Sequence, residues 1–231
     1  MITLSMRYGA MRRLVNVIGG LALVAAMTIA LPASRLLAAE PVRILALGDS
    51  LTAGYGLPDD QSFPVKLQAA LVRDGIAAVV YNAGVSGDTS AGGLSRLDWA
   101  LAMTGDDRLD AVIVELGAND GLRGLEPSMT LANLDALIAR VRDKGLAVLL
   151  TGMQAPPNLG PEYGAEFAAI YPFLAKKHGV NLYPFFLEGV AAIPDLNQED
   201  TIHPNSRGVD VVIGGILPYI KEMLAKEITR P

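Results

Sequence analysis

The chain has 231 residues, 51% of them hydrophobic and 19% charged, which suffices for one sizeable core and excludes a disordered or highly charged chain. Its formal charge is −5, and the first four of its basic residues, Arg7, Arg12, Arg13 and Arg35, precede the first acid, Glu40. The remainder is therefore more acidic still and lacks the electrostatic footprint of a nucleic-acid or anionic-lipid binder. Cysteine is absent and histidine is confined to His178 and His203, excluding disulfides, a thiol nucleophile and any metal site built from thiolates or several imidazoles.

The arginines lead into an uncharged run from Leu14 to Leu31, then Pro32-Ala33-Ser34 and Ala38-Ala39-Glu40. A basic start, an apolar run and small residues before a polar one describe a secretory signal over residues 1–39, cut near Ala38 or Ala39. A retained anchor is the alternative, since the run is about long enough to span a bilayer. Residues 40–231 then form one domain, periplasmic or secreted, with no stable membrane insertion of its own.

Within that body, Val42 to Leu47 reads as a buried strand ending at Gly48, and Phe63 to Arg73 as a helix stopped by Asp74-Gly75. Ala78 to Tyr81 is a second strand; Thr89 to Leu101 has Leu94, Leu97, Ala100 and Leu101 at helical spacing. Ala111 to Leu116 is a third strand, Thr130 to Arg142 a helix, Leu146 to Leu150 a fourth strand, and Tyr163 to Lys177 a helix ended by His178-Gly179. Val180 to Tyr183 is a fifth strand, and Ser206 to Lys226 closes the chain as a helix. Short, continuously apolar strands between helices imply a parallel sheet covered on both faces. Right-handed crossovers make this a doubly wound, three-layer α/β/α sandwich whose ligand site lies beyond the carboxyl ends of the strands.

Polar, glycine-bearing segments follow three of those strands. Gly48-Asp49-Ser50-Leu51 presents a serine just past a buried strand, although Asp or Ser there also suits a helix cap. It lacks the lysine of a phosphate loop and the Gly-x-Ser-x-Gly elbow. In Asn82-Ala83-Gly84-Val85-Ser86-Gly87-Asp88, Gly87 lets a backbone N–H approach a substrate oxygen closely, or simply serves the turn. In Gly117-Ala118-Asn119-Asp120-Gly121, the Asn119 amide can donate to a developing oxyanion, or belongs to an ordinary Asn-Asp-Gly turn. Near the end, Asp200 and His203 are spaced so that the carboxylate reaches an imidazole nitrogen, and Pro204 keeps His203 out of helical geometry. A serine hydroxyl needs such a base, and the base needs an orienting carboxylate. His178, after Lys176-Lys177 at a helix end, is expected to be solvated.

In this order, Gly48-Asp49-Ser50-Leu51, Gly87, Gly117-x-Asn119-Asp120 and Asp200-x-x-His203 resemble the sequence blocks of the SGNH, or GDSL-type, hydrolases. The longer strings Ser86-Gly87-Asp88-Thr89-Ser90 and Gly117-Ala118-Asn119-Asp120-Gly121-Leu122-Arg123-Gly124 are similar to the exported thioesterase/lysophospholipase and arylesterase branch. The resemblance spans nearly the whole body from Val42. It implies a flavodoxin-like strand order around a five-stranded parallel sheet. It also implies Ser50 as nucleophile, His203 as base, Asp200 as its orienting acid, and an oxyanion hole from the N–H groups of Ser50 and Gly87 with the Asn119 side chain. By the same resemblance the substrates are fatty-acyl, lysophospholipid or aryl esters and thioesters, taken without cofactor or metal. A carbohydrate O-deacetylase on the same machinery is one alternative. A flavodoxin-like module that binds without catalysis and a metal-dependent phosphoesterase relying on carboxylates are others. Specificity is expected from loops such as Gly152 to Tyr163, whose Met153, Pro156, Pro157 and Leu159 suit an apolar groove, although the prolines equally suit a stiffened connection.

Overall fold

The computed structural model describes residues 40–105 and 108–228. The leader expected over residues 1–39 lies outside them. The strands are β1 (Val42–Gly48), β2 (Ala78–Gly84), β3 (Ala111–Glu115), β4 (Ala147–Thr151) and β5 (Asn181–Tyr183). They form a five-stranded sheet in the order β2-β1-β3-β4-β5, with every pairing parallel. That is the flavodoxin-like order. The inner strands β3 and β4 are buried along their whole length, as their Val, Leu and Ile content requires of a sheet covered on both faces. The edge strands β2 and β5 are only partly buried.

The helices are α1 (Ser50–Ala53), α2 (Phe63–Arg73), α3 (Ser90–Ser95), α4 (Leu97–Ala102), α5 (Ala118–Leu122), α6 (Pro127–Asp143), α7 (Pro161–His178) and α8 (Ser206–Ile228). α2 packs on α8, while α6 packs on both α3 and α7, so the two pairings supply the two outer layers. Leu67 and Leu71 of α2, Leu134 and Ile138 of α6, and Phe167 and Leu174 of α7 are all buried against the sheet core.

Several boundaries differ from the sequence reading for identifiable reasons. The helix expected from Thr89 to Leu101 is broken at Arg96, whose backbone leaves the helical region (φ −101°, ψ 6°). Its guanidinium bonds the Asp88 carboxylate and the Gly48 carbonyl instead of solvent. β2 runs on to Gly84 because that residue stays in register with Gly48, and the Val85 N–H closes onto the Gly48 carbonyl at 3.0 Å. α6 and α7 start three and two residues early, each on a proline in the first turn, where the missing N–H costs nothing. α1 and α5 are single turns that apolar periodicity cannot register.

Candidate active site

The carboxyl ends of β1, β2 and β3 meet at Gly48, which is paired with Gly84 on one side and Glu115 on the other. A Cβ on Gly48 would lie 2.0 Å from Thr52 Oγ1 and 2.5 Å from Glu115 Oε2. Glycine is therefore the residue that lets the chain turn so tightly here. Asp49 follows as the N-cap of α1 and accepts the Leu51 N–H at 2.9 Å, so the capping role considered from the sequence is real and falls to the aspartate. Ser50 is the first residue of the turn, and its own N–H is one of the donors that a helix start leaves without an intrahelical partner. Gly54, in the left-handed region at φ 82°, ends the turn.

His203 arrives from the opposite direction, on the loop before α8. Its Nε2 lies 2.9 Å from Ser50 Oγ, and its Nδ1 lies 2.6 Å from Asp200 Oδ2. The other Asp200 oxygen accepts the N–H groups of Ile202 and His203, each at 3.0 Å. These contacts hold the Asp200 carboxyl down at about 2, with the His203 backbone N–H as the largest cause and the imidazole contributing. Asp200 is thus an anion at any working pH, facing one nitrogen of the ring while the serine faces the other.

The third strand end supplies Asn119 from α5. Its Nδ2 donates to Asp49 Oδ2 at 3.0 Å and to the Asp88 carbonyl at 2.9 Å. The adjacent Asp120 is buried and accepts from the Ser90 N–H at 2.7 Å, the Ser90 hydroxyl and the Thr130 hydroxyl at 3.0 Å. Those bonds pin α5 to α3 and α6. Gly87 adopts φ 84°, a conformation disfavoured for side-chain-bearing residues, and its carbonyl accepts from Arg123.

Ser50, Gly87, Asn119 and His203 all line one cleft of about 700 Å³ beyond the carboxyl ends of the strands. Its walls are largely apolar, with Tyr55, Leu122, Met153, Pro156, Phe185 and Ile202 among them. A larger hollow of about 890 Å³ lies at the other end of the strands, beside Val42, Asp110 and Leu146, and none of the candidate residues reaches it. Met153, Pro156 and Pro157 take the expected place in the apolar wall, whereas Leu159 does not: it lies beside Gly124, outside the cleft lining. His178 is a second correction. Rather than being solvated, its ring is mostly covered and Nε2 lies 2.6 Å from Asp135 Oδ1, away from the cleft.

Three contributors, and a second role of Asp49, escape the sequence reading. Tyr55 lays its ring against His203, with centroids 4.6 Å apart and a tilt of 38°. Gln198 ties the two loops by donating to the Tyr55 and Pro204 carbonyls at 2.7 and 3.0 Å. Beneath the serine, Asp49 is fully buried, and burial raises its carboxyl to about 6 against the opposing bonds from Leu51, Glu115 and Asn119 and the charge of His203. Glu115, also fully buried, is pushed well above the carboxylate range, first by burial and then by the Asp49 charge. Glu115 alone had a signal to give, as an acid inside the otherwise apolar run Ala111 to Leu116. Among the described residues no group of three or more His, Asp or Glu is arranged to hold a metal ion.

Known proteins resemble this chain in sequence and in structure. An arylesterase of Vibrio mimicus is 39% identical over 188 residues, covering 81% of this chain and 88% of the relative. The thioesterase 1/protease 1/lysophospholipase L1 of Escherichia coli K12 is 40% identical over 193 residues, covering 83% and 85%. The crystal structure of AlinE4, an SGNH-hydrolase family esterase, superposes with a TM-score of 0.68 at 48% identity, covering 79% of this chain and 96% of that one. The model of the GDSL-like lipase/acylhydrolase family matches residues 46–211, from the middle of β1 into α8. With the hydroxyl, imidazole and carboxylate aligned at the strand ends that this match spans, the chain belongs to the GDSL-like, or SGNH, family of serine ester hydrolases.

Proposed function

We propose that Ser50, His203 and Asp200 are the nucleophile, general base and orienting acid of this ester hydrolysis. The observation that carries the reading is the continuous chain from Ser50 Oγ through His203 to Asp200 at 2.9 and 2.6 Å, with Ser50 and His203 on the wall of an apolar cleft. His203 Nε2 takes the Ser50 proton as Oγ bonds to the acyl carbon, and the carbonyl π electrons move onto oxygen. That oxyanion is held by the N–H groups of Ser50 and Gly87 and by Asn119 Nδ2, since donors aimed where charge develops are worth most in a desolvated site. The tetrahedral species collapses, and the leaving alcohol or thiol departs with the proton from His203. Water, deprotonated by the same imidazole, then releases the acid and restores Ser50. Asp200, ionised throughout, holds the ring in the tautomer that presents a lone pair to Ser50 and stabilises the imidazolium.

The substrates are esters and thioesters with an apolar acyl or aryl group, of the fatty-acyl, lysophospholipid or aryl kind. The apolar lining of the cleft and the names of the relatives support this class. Residues 1–39 serve as an export signal, and the remaining residues work as one periplasmic or secreted domain. In keeping with this, no described helix is long and apolar enough to cross a membrane. The test is labelling with a fluorophosphonate ester followed by peptide mass spectrometry. One adduct on the peptide containing Ser50, absent from Ser50→Ala, is expected. Labelling elsewhere, or full turnover by Ser50→Ala, overturns the assignment. A panel of oxygen and sulfur esters of graded acyl length fixes the preference, and amino-terminal sequencing of the exported protein fixes the leader boundary.

A further inference from the structure

The carboxyl groups of Asp49 and Glu115 have no place in the proton transfers just described, yet they lie directly beneath Ser50 and are both wholly buried. Glu115 Oε2 accepts the Asp49 N–H at 3.2 Å, so the two carboxyls adjoin in a site closed to water, where both cannot readily be ionised and one keeps its proton. Their surroundings differ in kind. Asp49 Oδ1 accepts from the Leu51 N–H and Oδ2 from Asn119 Nδ2, so both oxygens are served as an anion requires. Glu115 Oε2 accepts from the Thr52 hydroxyl at 2.7 Å and the Asp49 N–H at 3.2 Å, while Oε1 is buried and meets no N–H or O–H donor. An anionic oxygen left bare in this way would be costly, whereas an acid needs no such donor. Arg96 spends its Nε and Nη2 on Asp88 and Gly48, and Tyr171, which feels both carboxyls, stays protonated and donates its O–H to the Leu116 carbonyl at 3.1 Å. His203 bears on Asp49 only through space.

We propose that Glu115 is a positioning residue for the oxyanion hole: as the neutral acid it donates to the Asp49 carboxylate, which in turn aims the Asn119 amide and caps the turn that carries Ser50. Holding a single negative charge in this pair also matters for the reaction, because a second buried anion would oppose the charge that develops on the substrate oxygen. The inference rests on the reading of Asn119 as an oxyanion donor.

The test compares Glu115→Ala, Glu115→Gln and Asn119→Ala, singly and combined, in the full-length protein. Glu115→Ala should lower kcat by about threefold to tenfold, the rate equivalent of one ordinary hydrogen bond, with KM little changed. Glu115→Gln should restore most of that loss, because its amide both accepts as Oε2 does and donates to Asp49. Equal losses in the two variants, or a loss confined to KM, overturn the proposal. In an Asn119→Ala background the further loss from Glu115→Ala should vanish if one acts through the other. Full additivity sinks the positioning role while leaving the oxyanion assignment intact; an Asn119→Ala enzyme with normal kcat shows instead that the oxyanion assignment has failed. Infrared difference spectra of wild type against Glu115→Gln supply a readout free of activity and of any unfolding in Glu115→Ala. At pH 8 the wild type should show a protonated carboxylic acid band that the variant lacks, and no such difference would also overturn the proposal.

Discussion

Replacing Asn119 with alanine is the most direct probe of the oxyanion hole. Its amide nitrogen carries two hydrogens, and at rest both are occupied, by Asp49 Oδ2 at 3.0 Å and the Asp88 carbonyl at 2.9 Å. A substrate oxyanion must therefore share one of these hydrogens or displace an existing acceptor. The gain is the difference between two hydrogen bonds rather than the whole of one. Removal of a single oxyanion donor costs about 10²–10³ in kcat, and with both hydrogens already engaged at rest Asn119→Ala is expected near the lower bound, about 10²-fold. In free-energy terms this is about 2.7 kcal/mol of transition-state stabilisation. KM should move much less, since the bond strengthens chiefly as charge builds on oxygen. Steady-state kinetics on an activated aryl ester, paired with thermal melting to verify folding, measures both quantities. A loss expressed mainly in KM would make Asn119 a ground-state binding residue. A loss below about threefold in a folded variant would refute the donor assignment.

His203→Ala should lose essentially all turnover, while His178→Ala should keep it and change stability by no more than about 1 kcal/mol, as expected for a partly exposed pair with Asp135; equal losses at the two positions contradict a single base. The raised Asp49 carboxyl carries a stability signature. Its folded value of about 6 exceeds the ordinary 3.8, so the folded state keeps a proton that the unfolded chain releases, and stability is lost as pH rises through that window. Relative to Asp49→Asn, wild type should lose up to about 3 kcal/mol between pH 4 and pH 6 in urea titrations; a flat difference across that range contradicts the burial argument. Gly117 sits at φ 114°, where an added Cβ would fall 2.1 Å from the Tyr171 hydroxyl. Gly117→Ala should therefore destabilise by roughly 2 kcal/mol or more, and a denaturation midpoint equal to wild type would show that this turn is not constrained.

What the sequence made legible follows from how local each signal is. β1, β3 and β4 announce themselves because strands buried on both faces must be apolar throughout. Ser50, Gly87, Asn119, Asp200 and His203 stand out because they sit in glycine- or proline-marked breaks just where a doubly wound sheet puts its ligand site. The break at Arg96 was hidden, since it depends on partners at Gly48 and Asp88 that only the folded chain brings near. The same holds for the Tyr55 ring against His203, which are far apart in sequence. Asp49 looked like a cap and is one; its second occupation, against Glu115 and Asn119, becomes visible only when the ends of β1 and β3 are brought together.

The two halves of the site are anchored very differently. Ser50 and Asn119 stand on buried groups at the ends of central strands, whereas Asp200 and His203 ride a loop held by its own turns, the Gln198 N–H to His203 carbonyl bond at 2.8 Å, and the Gln198 side chain on Tyr55. Segments with few buried contacts open with less free energy than the global transition. The loop that carries the base is therefore expected to open before the sheet does. Amides of the loop should exchange with deuterium well before those of β3, and in a denaturant series catalysis should fade at concentrations where the helical signal is still complete. The organophosphorus reagent, which needs the assembled pair, would report that early opening as a declining labelling rate in a protein that every spectroscopic measure still counts as folded.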